Sequence, residues 1–363
     1  MKILILLLIL VTNLGYSQSG WVLQTNPIKG RITDLQFINP KTGFISADTN
    51  GQVAKTLNGG KSWEMIPVGF NIDIRNIKFL NDKTGWVSGY KYIGSKKGRY
   101  VIYIFKTTNG GKIWSEFSSP GNNSGAEIYI LNKDTILISY SGSSGFISEG
   151  SIEYSFDAGR NFKTALKDQF SFNNINFLNN RTGWTIGYYY DDSGGNESVV
   201  YKTEDTGINW NLFYKSSWYH EIKDSNNNKP KLNEDSLRIQ MFRSDLGDIL
   251  FLNEKTGFLC GGNGNYAKTT NGGINWLYSN FSRWFNLNSI CFINEKVGFM
   301  GGNFDYPGNE ISSLVKTTDG GESWDYIKDL PLKYIQKIFF INDKIGWAFN
   351  SKGFMKTETD GTN

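Results

Sequence analysis

The sequence predicts an all-β fold, a seven-bladed propeller of four-stranded antiparallel blades, from three observations. A short frame, [Ser/Thr]-x-[Asp/Asn]-x-Gly-x-x-[Trp/Phe], occurs six times, at 56–63, 107–114, 155–162, 203–210, 269–276 and 317–324. A second unit, apolar-x-Phe-Leu/Ile-Asn-x-Lys-Thr-Gly-aromatic, alternates with it. Finally, the two ends of the chain each carry half of one further frame. Frames recurring in register about every fifty residues signal a repeat architecture.

Each part of the frame has a physical role. The side chains of Asn58, Asn109, Asp157, Asp205, Asn271 and Asp319 are expected to accept backbone N–H groups two or three residues on, folding a tight turn. The fixed Gly supplies a positive φ without steric cost. The closing Trp or Phe pins the turn to the sheet.

The second unit lies at 35–44, 77–86, 175–184, 249–258, 290–299 and 338–347, with a degraded copy at 128–137 that keeps Asn132 and Thr135. Each copy reads as strand, short Gly-containing hairpin and strand. A third strand runs into the frame and a fourth leaves from its Trp. Seven such repeats make seven blades. The C-terminal stretch 356–361 opens a seventh frame but lacks its Trp, with one extra residue ahead of its Asp. Residues 19–23 supply the missing tail, so Trp21 and the residues after it are expected to complete the last blade. The propeller then covers 18–363, with an insertion at about 213–247 between blades four and five.

Composition agrees. Aromatics at 15%, 41 Gly and only 7 Pro suit strands joined by tight turns. The net charge of +4 is spread along the chain, which argues against nucleic-acid binding. Lys2, the apolar run 3–11, and Gly15 and Ser17 read as a signal peptide over 1–17, cut near Ser17–Gln18. The run is too short for a spanning helix. The mature chain is therefore expected to be exported, periplasmic or secreted, and not inserted in a membrane. Cys260 and Cys291 sit in apolar runs and read as small buried hydrophobes, a single bridge between them remaining open.

The Phe-Leu-Asn-x-Lys-Thr-Gly-Trp unit, followed by Lys-Thr-Thr-Asn/Asp-Gly-Gly-x-x-Trp, resembles the photosystem II assembly/stability factor family of propellers; the frames alone resemble Asp-box (bacterial neuraminidase) repeats. The resemblance spans 19–363 and implies the fold. It implies no activity, so function must come from the face presented.

Short, uniform turns occupy one side of the disc. Length variation falls on the other: second hairpins at 90–100, 188–198 and 303–312, and the 213–247 crossover. Loops on a rigid scaffold commonly carry function. The candidate binding residues on that side are Tyr90, Arg99, Tyr188, Tyr189, Asp191, Trp218, Tyr219, His220, Arg283, Trp284, Asp305 and Tyr306. They suit a protein or a glycan as partner.

Three residues before each inner-strand Phe position stand Asp34, Asn76, Glu127, Asn174, Asp248, Ser289 and Lys337. They predict a polar ring at the channel mouth, hydrated in the favoured reading, a hard-cation site in the other. No metal and no cofactor is expected. The rival function is a glycoside hydrolase of sialidase-like or glucanase-like type. It would draw on Arg31, or on Asp34, Glu127 and Asp248, but no motif supplies partners for Arg31 among the eight Arg. His220, the only histidine, has no nucleophile motif to serve. The leading expectation is a non-catalytic scaffold.

Overall fold

The computed structural model describes residues 20–48, 51–69, 71–92, 94, 100–118, 126–143, 148–190, 196–216, 246–304 and 312–361. Their strands form seven four-stranded antiparallel sheets. Blades one to six span 32–67, 73–118, 126–168, 171–216, 246–280 and 285–326, each from four consecutive strands. Blade seven is ordered Trp21–Gln24, Gly353–Thr357, Gly346–Asn350, Lys337–Phe340, so the N-terminal strand is its outer strand. The fourth blade ends at Ser216 and the fifth begins at Leu246, so Phe213 belongs to a strand and the intervening residues are 217–245. No helix of the described residues is long and apolar enough to cross a membrane.

The inter-blade core explains the Phe and Gly of the repeated unit. Phe37, Phe79, Phe177, Phe251, Phe292 and Phe340 each face a glycine of their own blade: Gly43, Gly85, Gly183, Gly257, Gly298 and Gly346. A Cβ on any of those glycines would lie 2.5–2.8 Å from the ring. The freed space lets the ring stack on the preceding blade, Phe37 on Trp347 at 3.9 Å, Phe79 on Phe44 at 3.6 Å and Phe251 on Trp184 at 4.0 Å. The frame Trp then meets the same Phe edge-on, as Trp63, Trp114, Trp276 and Trp324 do at 5.9–6.0 Å. In blade three the pair changes together, to Ile130 opposite Ile136.

On the short-turn side, each Asn of the repeated unit accepts two backbone N–H groups, as Asn39 does from Lys41 and Thr42 at 2.9 Å. In the frames the Ser/Thr hydroxyl is the pivot. It accepts the N–H of the fixed Gly at 2.8–3.0 Å in all seven copies and is almost wholly buried. The Asp or Asn acceptor reaches four residues on, not only two or three: Asn58 takes Ser62 N–H and Asp319 takes Ser323 N–H. Positive φ is needed at two consecutive positions, so Ala158, Thr206 and Asp360 also adopt it. The two turns of a blade are joined by a backbone bond, for example Gly320 N–H to Lys296 O at 2.8 Å, which places both on one side of the disc.

Ring closure follows the expected plan with one correction of register. Thr357 accepts Gly361 N–H at 3.0 Å and Thr359 N–H at 3.3 Å, so Thr359 takes the Asp/Asn place and no residue is inserted. Trp21 supplies the absent closing indole. It pairs with Thr357, is fully buried, and lies edge-on to Phe340 at 5.9 Å.

Candidate functional site

At the mouth of the axis, the polar ring turns out to be a belt of inter-blade bonds. The inner strands of blades one, two, four, five and six bulge just before, or at, the ring residue, which turns backbone N–H groups toward the neighbouring blade. Asp34 accepts from Ile77, Asn76 from Ile128, Glu127 from Asn174, Asp248 from Ile290 and Ser289 from Ile338, at 2.8–3.3 Å. Lys337 has no acceptor to offer, and Asn174 turns its amide onto Asp248. In the blades that follow those two, the carboxylate accepts the next N–H of its own strand: Leu35 on Asp34 at 3.0 Å and Ile249 on Asp248 at 2.8 Å. The sequence reading of a hydrated mouth did not include these inter-blade bonds. A buried N–H without a partner is costly, and these side chains satisfy it.

The charges around the axis answer one another. Lys78 Nζ donates to Asp34 Oδ2 at 2.5 Å. Burial lowers the Lys78 ammonium from its ordinary value, with Asp34 opposing. Burial also works against the Lys337 charge, but Asp34, Glu127 and Asp248 outweigh it and raise that ammonium. Burial pushes the Asp248 carboxyl up to about 6, against the Ile290 N–H, the Asn174 amide and Lys337. Among the described residues no three His, Cys, Asp or Glu side chains come together as a metal site. Cys260 and Cys291 are free thiols, both raised by burial, Cys291 to about 12.

On the long-hairpin side, Tyr90, Tyr188 and Tyr189 are strand residues, not loop residues. The second and third strands of blades two, three and four run eight residues each, Gly85–Tyr92 with Tyr100–Thr107, Ile136–Ser143 with Ser148–Ser155, and Gly183–Tyr190 with Asn196–Thr203. The blade-three hairpin is a long one that sequence reading passed over, because its repeat is the degraded copy. Tyr189 packs on Phe170, and Tyr90 lies 4.5 Å beneath the Arg75 guanidinium. Arg283 sits 4.7 Å over Trp284, whose side is 39% exposed, so this pair is presented outward. Arg31 donates to Asp48 at 2.6 Å on the same side, and although burial works against it, that guanidinium keeps the Asp48 carboxyl low. Arg75 and Asp48 carry no motif and emerge only from the fold. Arg99, Asp191, Trp218, Tyr219, His220, Asp305 and Tyr306, like the 1–17 segment, lie outside the described residues.

No family model matches the chain, and no curated protein matches it either. Solved structures do. YCF48 bound to D1 peptide is similar with a TM-score of 0.64 and 17% identity, over 94% of this chain and 97% of that one. YCF48 from Cyanidioschyzon merolae gives 0.62 and 16%, over 93% and 98%. The GH74 xyloglucanase from Xanthomonas campestris gives 0.62 and 10%, over 93% of this chain and 53% of that one. At these identities the likeness is one of fold.

Proposed function

We propose that this chain is an exported, non-catalytic propeller scaffold that binds a protein segment or a glycan on its long-hairpin side, in the manner of an assembly factor. One observation carries the proposal. The hairpins of blades two, three and four have eight residues per strand, whereas those of blades one, five and seven have five. Three extra residues raise the hairpins of blades two, three and four by about 10 Å over those of blades one, five and seven. The opposite side is a set of near-identical turns. A step of this kind suits a partner laid against it, and the exposed Arg283–Trp284 pair on the same side offers a further anchor. That YCF48 has been solved with a D1 peptide supports a peptide partner for a disc of this shape. Export rests on the 1–17 segment, and the turn frames are read as Asp-box repeats on their sequence and hydrogen bonding.

The carboxylates named for the hydrolase reading are engaged in the belt around the axis. A glycosidase needs two carboxyl groups free to meet substrate. Asp34 and Asp248 spend both oxygens on backbone N–H groups, and Glu127 holds Asn174.

The test is the mature chain on peptide and glycan arrays, beside Arg283→Ala/Trp284→Ala and a Trp218→Ala/Tyr219→Ala/Trp284→Ala variant. Binding weakened about tenfold in correctly folded variants is expected. Undiminished binding, or turnover of a glycan, overturns the proposal.

A further inference from the structure

Blade three carries a carboxylic acid where the other blades are apolar or aromatic. Two places before the frame Ser/Thr stand Ala54, Phe105, Tyr201, Ala267, Val315 and Met355; in blade three the residue is Glu153. A second exchange accompanies it. The second-strand position held elsewhere by Ala47, Gly89, Gly187, Gly261, Gly302 and Asn350 is Tyr140.

Glu153 is 8% exposed. It lies directly across from Ile138, and directly paired residues share a sheet face. Ile138 and Tyr140 pack with Trp86, Ile102 and Ile104 of blade two, so Glu153 points into the interface between blades two and three. The Tyr140 phenol bonds to its carboxyl, yet among the described residues Oε2 has no hydrogen-bond partner. Among the described residues, the titratable groups on the packed strands that share this face are Tyr140, Tyr90 and Lys106, with Lys167 opposite Ser151 on the outer strand of blade three. Lys106 lies over the Trp86 ring at 4.9 Å and answers to Arg160 and Asp134. The outer strand of blade three offers Thr164 opposite Glu153. Burial pushes the Glu153 carboxyl up to about 7; the Tyr140 bond pulls the other way, and neither Lys106 nor Lys167 lowers it.

We propose that Glu153 is a proton-binding site that gates the packing of blades two and three: protonated, it stays sealed between them; ionised, it draws in water and loosens one blade from the other. A neutral carboxyl with one bond fits an apolar interface. A carboxylate with a bare oxygen does not, and opening the interface is the route by which water reaches it. The inference stands apart from the binding proposal, although it concerns the same hairpins.

The experiment is a carbon-13 titration of the Glu153 carboxyl in the full chain, assigned by its loss in Glu153→Gln. A midpoint at about 7 is expected; one near the ordinary value of about 4.3 overturns the proposal. Tyr140→Phe removes the bond to the ionised form and is expected to move the midpoint higher, so an unmoved midpoint also counts against it. The gating is read by hydrogen exchange, corrected for intrinsic rates, at about pH 6 and about pH 8. Amides of Tyr100–Thr107 and Ser148–Ser155 are expected to exchange several-fold faster at the higher pH. Blades five and six stay unchanged, and Glu153→Gln is expected to abolish the difference. Equal exchange at both pH values overturns the gate.

Discussion

Asp34 Oδ2 accepts the backbone N–H of Ile77, one blade on, at 3.1 Å. The same oxygen takes Lys78 Nζ and Asn76 Nδ2, and Oδ1 takes Leu35 N–H. One buried side chain therefore joins blade one to blade two and neutralises a cation on the axis. Asp34→Ala leaves the N–H groups and the ammonium without their acceptor. A loss of about 3–5 kcal/mol is expected on chemical unfolding, and less for Asp34→Asn, which keeps an oxygen. Equal losses for the two would show that the bonds carry little.

Trp21 closes the ring from the far end of the chain. Trp21→Ala removes a fully buried indole from the seam of blade seven, at an expected cost of about 3–5 kcal/mol. Limited proteolysis should then cut first near the N-terminal strand. A variant as resistant as the parent would mean that the seam does not limit stability.

Ile130 and Ile136 replace the Phe–Gly pair of the other blades. Ile130→Phe alone should clash with the Ile136 side chain, and Ile136→Gly alone should leave a void. The double variant rebuilds the common pair, so a coupling of about 1–3 kcal/mol is expected in a double-mutant cycle. Additive effects would refute the pairing.

Acid sensitivity should appear at the turn frames. Backbone and side-chain bonds from Asn161 hold the Asp157 carboxyl well below the usual range, and the Ser323 hydroxyl and N–H do the same for Asp319. A depressed carboxylate stabilises the fold above its unfolded value, about 3.9, and loses that contribution as pH falls through the folded value. The melting temperature of wild type should therefore exceed that of Asp157→Asn/Asp319→Asn at about pH 5, and the gap should narrow toward about pH 2. A gap independent of pH would rule this out. The Asn already present in three frames, at Asn58, Asn109 and Asn271, indicates that folding survives the exchange.

How much was legible in advance differs between fold and site. The frames and units are local, since a hydroxyl, an amide oxygen and two positive-φ residues make their bonds within a few positions. That is why blade count, the paired turns and even the N-terminal strand could be read from spacing. The degraded third repeat was counted correctly, but its long hairpin was missed because the residues that mark the pattern are gone there. The polar ring was found, but its inter-blade bonds were not: polarity at one register shows a demand for hydrogen bonding, not which strand of a neighbouring blade meets it.

By itself, the sequence determined a closed ring of seven sheets and which residues turn its chain, because those interactions lie within one repeat. Only the tertiary structure decided that Asp34 serves Ile77, that Arg75 covers Tyr90, and that Glu153 is sealed against blade two. The first and last depend on which strand lies beside which across a blade boundary, and the second on two neighbouring strands of blade two, all at separations set by packing and not by chain spacing.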